Sequence, residues 1–125
     1  MKAQKRMENN LVSIIMPFYN EALCLSRAIE GIVQQTHEEW ELLLLNDSST
    51  DSGQAIAEGW EKADERITVF VSEKNRGQVA TINWGMSLAS GELLAFCDAD
   101  DRWLPNKLEK QLAAMRKYGL HVVLS

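Results

Sequence analysis

The chain has 125 residues, is 46% hydrophobic and 25% charged, and carries a formal net charge of -5. That length supports one globular core, and the acidic balance removes the electrostatic case for a nucleic-acid partner. The two cysteines, Cys24 and Cys97, form neither a disulfide framework nor a metal or redox spacing, and both read as small buried apolar groups.

In chain order, residues 1–10 read as a flexible tail whose Lys2, Lys5 and Arg6 allow a weak attraction to a membrane surface. Residues 11–16 are a β-rich apolar run that stops at Pro17. The run reaching Phe18 is too short to span a bilayer and lacks a signal-peptide pattern, so the default location is cytoplasmic. Residues 22–34 place Leu25, Ile29, Ile32 and Val33 at helical spacing. Residues 40–45 form a second apolar strand. Residues 51–63 read as a second helix, with Ile56 and Trp60 on one face and Ser49 or Thr50 as its N-cap. Residues 67–71 make a third strand, residues 79–89 a third helix stopped by Gly91, and residues 92–96 a fourth strand. Residues 105–118 make a fourth helix, with Pro105 in its first turn and Leu108, Leu112 and Met115 facing inward. Gly119 ends it, and residues 120–124 begin a fifth strand.

Strands that are apolar throughout, separated by amphipathic helices, predict an α/β fold: a Rossmann-like, doubly wound, mostly parallel sheet with helices on both faces. Ligands in such sheets sit beyond the carboxyl ends of the strands. That rule selects the segments 17–21, 46–51 and 73–77 and the acidic cluster after the fourth strand.

The cluster is the most informative stretch. The apolar run 93–96 ends in Asp98, Asp100 and Asp101. In an extended segment Asp98 and Asp100 point the same way, and like charges side by side call for a cation between them. Mg²⁺ or Mn²⁺, which take oxygen ligands, suit such a pair. The alternative is a solvated acidic turn that caps the next helix. A dinucleotide site is excluded because the loop Pro17-Phe18-Tyr19-Asn20-Glu21 has no glycine, and a Walker A loop is absent. A phospho-receiver is excluded because no acceptor Asp follows the third strand, where Glu73-Lys74-Asn75 stands. Ser48, Ser49 and Thr50 have no His partner for a hydrolase nucleophile. His37 and His121 lie outside the predicted mouth, and the four tryptophans read as packing residues.

The segment Val12 to Glu21 resembles the opening of glycosyltransferase family 2, a GT-A-type group that uses nucleotide-sugars. Trp40 to Asp51 resembles its second strand and the following Asp-Asp-Gly-Ser-Thr-Asp turn. Asn75-Arg76-Gly77, with Asn83 and Gly85, resembles the family's following Asn-x-Gly segment and helix, and Phe96 to Leu108 resembles the Asp-x-Asp region with its downstream Trp-x-Pro and Lys-Leu. The resemblance implies that Asp47 accepts from the N3–H of a uracil-type base and that Pro17 and Tyr19 line the base and ribose. It places Glu21 near the nucleotide, Asp98 by ribose and metal, and Asp100 on a Mg²⁺ or Mn²⁺ that bridges the diphosphate. Arg76 stands as either a phosphate contact or a solvated charge. Asp51 reads as a helix cap, and Asp101 as a residue that orients the loop or caps the helix.

Two departures stand out. Asn46 and Ser48 occupy positions where the family has Asp and Gly, and Ser48 must take a backbone geometry that suits glycine. The resemblance also implies that residues 11–125 are the donor-binding half, cut short before the acceptor site, with the general base of an inverting transfer beyond Ser125. The activity implied is metal-dependent, inverting transfer from a nucleotide-sugar, with UDP favoured, to a glycan or lipid-linked acceptor, in the cytoplasm or at the inner membrane face. The rival reading is a non-catalytic nucleotide-sugar-binding module. An apolar surface left where a second half would dock would favour a homo-oligomer.

Overall fold

The computed structural model describes residues 10–118. Its four strands are β1 (Val12–Phe18), β2 (Trp40–Asp47), β3 (Ile67–Ser72) and β4 (Leu93–Phe96). They alternate with helices α1 (Ala22–Val33), α2 (Gly53–Ala63), α3 (Gln78–Leu88) and α4 (Lys107–Tyr118). The strand order is β3-β2-β1-β4, and every neighbouring pair is parallel. Ile14 lies between Leu42 and Ala95 in the central register.

Successive side chains leave a strand on opposite faces, so an apolar strand needs cover on both. Val12, Ile14, Met16, Leu42 and Leu44 turn to one face, where Leu25, Ile29 and Ile32 of α1, Ala57 of α2 and Leu108 and Leu112 of α4 close the main core. Ile15, Leu43 and Leu45 turn to the other, beneath Trp84 and Leu88 of α3 and beside Phe70 and Phe96. Helix α3 rides close because Gly85 has no side chain. A Cβ there would stand 2.5 Å from Leu45 Cδ1 and 2.7 Å from Ile15 Cγ2.

Several expected boundaries move. Strand β1 does not stop at Pro17 but runs through it to Phe18. Ile15 accepts the Cys97 amide on the β4 side, and the residue two further on turns the same way. The nitrogen of Pro17 therefore faces beyond the last residue of β4, where its missing N–H breaks no ladder. Strands β2 and β3 each extend into polar residues at the mouth, to Asp47 and Ser72. Helix α2 starts at Gly53 behind Ser52 as N-cap, not behind Ser49 or Thr50. Pro105 lies ahead of α4, where its carbonyl accepts the Thr36 amide. The buried Gln35 fixes this junction: its Nε2 donates to the carbonyls of Gly31 and Leu104, and its Oε1 accepts from the Leu108 amide. The expected fifth strand and His121 lie outside the described residues.

Candidate functional site

The chain order reverses across β1: β2 and β3 lie to one side and β4 to the other. Such a switch point leaves a crevice at the carboxyl ends of the strands. A cleft of about 310 Å³ opens there. Pro17, Phe18, Tyr19 and Glu21 line it from the end of β1 and the turn after it, and Asp47 from the end of β2. Gln78 and Thr81 line it from α3, and Asp98, Ala99 and Asp100 from the loop after β4.

Pro17, Tyr19, Glu21, Asp47, Asp98 and Asp100 do come together in this cleft. Arg76 is not among the lining residues. Its guanidinium lies 4.3 Å over the Trp84 ring and its Nε donates to Ser72 Oγ at 3.0 Å. Its backbone serves the site instead: the Arg76 and Gly77 amides donate to the two oxygens of Asp47 at 2.7 and 3.1 Å. Asp47 is thereby fixed while only 5% exposed, and each oxygen keeps a second lone pair for a ligand. Gly77 sits at φ +86° to deliver its amide and to open α3, a conformation open to glycine.

The acidic cluster is a turn and not the extended segment expected from the sequence. Strand β4 ends at Phe96, and the Asp101 amide closes on the Asp98 carbonyl at 3.0 Å. Asp98 and Asp100 nevertheless both reach the cleft, flanking the buried Ala99. Among the described residues neither carboxylate has a hydrogen-bond or ion-pair partner. Burial first, and then the charges of Asp101 and Asp98, push the thiol of the adjacent Cys97 up to about 12, so this cysteine stays protonated and inert.

The turns that carry Tyr19 and Asp47 are laced together by Asn20, Ser49, Thr50 and Asp51. Asn20 Oδ1 accepts from the amides of Thr50 and Asp51 at 2.8 and 3.3 Å and from the Thr50 hydroxyl at 3.3 Å. In return, Ser49 Oγ accepts the Asn20 amide at 2.9 Å. Asp51 takes the Gly53 amide on one oxygen and the Ala22 amide on the other, at 2.9 and 3.0 Å. The expected cap therefore serves the N-termini of two helices at once, where a negative charge also meets the favourable end of each dipole. Asn20 and Ser48 hold φ of +52° and +59°, which bears out the expectation that Ser48 takes a glycine-like geometry. Asn46, which stands where the resemblance implies an Asp, is buried and bonds Gln54 and the Ser49 amide. Gln78 and Thr81 were not anticipated. They reach the site through the placement of α3, which no local pattern encodes.

Among the described residues the lining holds four carboxylates, Glu21, Asp47, Asp98 and Asp100, and no lysine or arginine. Four carboxylates and no cation in one cleft lining disfavour a bare anionic ligand by like-charge repulsion. Among the described residues no three His, Cys, Asp or Glu side chains enclose a metal. Asp98 and Asp100 suit instead a hard ion that takes one or two carboxylates and completes its shell with water and phosphate.

The family model for glycosyl transferase family 2 matches residues 13–125. The chain is 40% identical over 114 residues to the UDP-Glc:alpha-D-GlcNAc-diphosphoundecaprenol beta-1,3-glucosyltransferase WfgD of Escherichia coli, covering 91% of this chain and 44% of WfgD. It thus spans less than half the length of that relative. Among solved structures, S. aureus TarS 1-349 in complex with UDP-GlcNAc superposes with a TM-score of 0.80 at 25% identity, over 86% of this chain and 32% of that one. The mannosyltransferase PcManGT from Pyrobaculum calidifontis, in complex with GDP-Man and Mn²⁺, shares the fold with a TM-score of 0.69 at 22% identity, over 82% of this chain and 34% of that one. Sheet order, crevice and family match agree: the fold is of the GT-A type, and the chain belongs to glycosyltransferase family 2.

Proposed function

We propose that residues 11–125 form the donor-binding half of a metal-dependent, inverting glycosyltransferase that uses a UDP-sugar. The observation that carries this is the composition of the cleft: anchored Asp47 on one side, Asp98 and Asp100 on the other, and, among the described residues, no partner for those two carboxylates and no basic side chain in the lining. Asp47 accepts the imide N–H of uracil. Tyr19, 47% exposed, offers its ring to the base, and Pro17 shapes the same wall. Glu21 borders the nucleotide, and Asp98 faces the ribose and the metal. Asp100 and Asp98 would hold Mn²⁺ or Mg²⁺, which when bound neutralises the diphosphate and stabilises it as a leaving group.

In the whole enzyme an acceptor hydroxyl attacks the anomeric carbon, the bond from that carbon to the diphosphate oxygen breaks, and UDP departs. A base outside the residues assigned here takes the hydroxyl proton. WfgD, whose name gives a diphosphoundecaprenol acceptor, supports a lipid-linked or glycan acceptor and work at the cytoplasmic face of a membrane. Among the described residues no helix is long and apolar enough to cross one. Calorimetric titration of UDP in the presence of Mn²⁺ tests the reading. Binding that falls at least tenfold in Asp47→Asn and on removal of the metal is expected. Equal binding without metal contradicts it.

A further inference from the structure

Asp47 alone supplies half of what a pyrimidine edge needs. It accepts a hydrogen bond, yet the edge of uracil alternates, with N3–H set between two carbonyl oxygens that require donors. The donors around Asp47 are few. The Arg76 and Gly77 amides are spent on Asp47 itself. The Arg76 guanidinium is drawn away over Trp84 and held by Ser72. The Thr81 hydroxyl donates to the Gly77 carbonyl at 2.7 Å. Gln78 remains. It directly follows the two residues that anchor Asp47, opens α3, lines the same cleft and is exposed. Among the described residues its side-chain amide makes no hydrogen bond within the protein.

We propose that Gln78 is a specificity-determining residue for the donor nucleobase. Its amide N–H donates to the carbonyl beside the ring N–H that Asp47 accepts, so that the pair reads a lactam edge, N–H next to C=O. Uracil and guanine carry that edge. Cytosine and adenine do not, because their ring nitrogen there is an acceptor and meets the carboxylate with its lone pair. The inference rests on the proposed nucleotide site and adds a second reader to it.

The test is binding of UDP, GDP and CDP, each with Mn²⁺, to the wild-type chain, Gln78→Leu and Gln78→Glu, with 2-thio-UDP and 4-thio-UDP as probes whose sulfur is a poorer acceptor. Loss of one neutral hydrogen bond predicts that Gln78→Leu weakens UDP roughly three- to tenfold. Gln78→Glu, which sets a carboxylate against a carbonyl oxygen, weakens it further. CDP, whose N3 lone pair faces the Asp47 carboxylate, binds more weakly than UDP to the wild type. GDP decides whether the cleft admits one lactam base or both. The wild type penalises one of the two thio analogues, and Gln78→Leu erases that penalty. A purely structural role for Gln78 would leave the penalty in place. UDP binding unchanged in Gln78→Leu, or a thio penalty that persists in it, overturns the inference while leaving Asp47 and the nucleotide site intact. A wild type that binds no uridine nucleotide overturns both.

Discussion

Asn20 braces the cleft, and its contribution can be separated into a side-chain and a backbone part. Its Oδ1 accepts one short bond, from the Thr50 amide at 2.8 Å, and two long ones at 3.3 Å. Counting the short bond in full and the long ones lightly gives a net of about 1 kcal/mol. The residue also holds φ +52°, a region that costs an ordinary L-residue about 1–2 kcal/mol and that Asn and Gly tolerate. Asn20→Ala loses both parts, about 2–3 kcal/mol. Asn20→Gly loses only the bonds, about 1 kcal/mol, and Asn20→Asp keeps the acceptor and stays within about 0.5 kcal/mol of wild type. Urea unfolding reads these as ordered shifts in midpoint at constant slope. Because the brace joins the turns of Tyr19 and Asp47, UDP affinity should fall in the same order. Equal stability of the Ala and Gly variants would refute the backbone argument. Wild-type stability and affinity in all three would refute the brace itself.

Other consequences are independent of it. Ser48→Gly relieves the left-handed backbone at φ +59° and should raise stability by about 0.5–1 kcal/mol, read as a rise of a few degrees in the thermal midpoint. Gly59 and Gly85 both lie inside helices, but nothing stands within 4 Å of a Cβ at Gly59, whereas one at Gly85 strikes Leu45 and Ile15. Gly59→Ala should therefore stabilise by about 0.5–1 kcal/mol and Gly85→Ala destabilise by about 1–3 kcal/mol, and opposite midpoint shifts in urea check the pair. The Cys97 thiol titrates from 9.0 in the unfolded chain and near 12 in the folded one. The folded state thus binds the extra proton between these values, and stability falls as pH rises through that window and is unaffected by this group below it. Unfolding profiles of Cys97→Ala should lack that slope; an identical slope would refute the assignment.

Much of the fold is legible in the residues because the deciding signals are local. Apolar runs such as 42–45, four leucines in succession, have no polar face, so they require cover on both sides and hence point to a parallel sheet. The switch-point rule then points at the turns after β1, β2 and β4, which line the cleft, and at 73–77, which does not line it. Pro17 misled because the cost of a proline in a strand depends on what lies beside it, and only the short length of β4 removes that cost. Asp98 and Asp100 reach the cleft through a turn and not through strand alternation, so their convergence was legible but its cause was not. The bonds of Asn20 and Asp51 join residues about thirty positions apart, and the swing of Arg76 onto Trp84 depends on where α3 lies. Both are tertiary facts with no local signature. Gln78 escaped notice for the same reason: a glutamine at a helix start acquires meaning only when Asp47 is set beside it.

The proposed function requires a divalent ion held at the acidic turn after β4 by Asp98 and Asp100 together with a nucleoside diphosphate. Electron paramagnetic resonance of Mn²⁺ tests this most directly, since the sharp sextet of the aqueous ion broadens away when it is bound. The wild-type chain with UDP should quench the sextet, and the doubly substituted Asp98→Asn, Asp100→Asn chain with UDP should restore it to the level of UDP and Mn²⁺ alone. Equal quenching by both proteins would contradict the central claim.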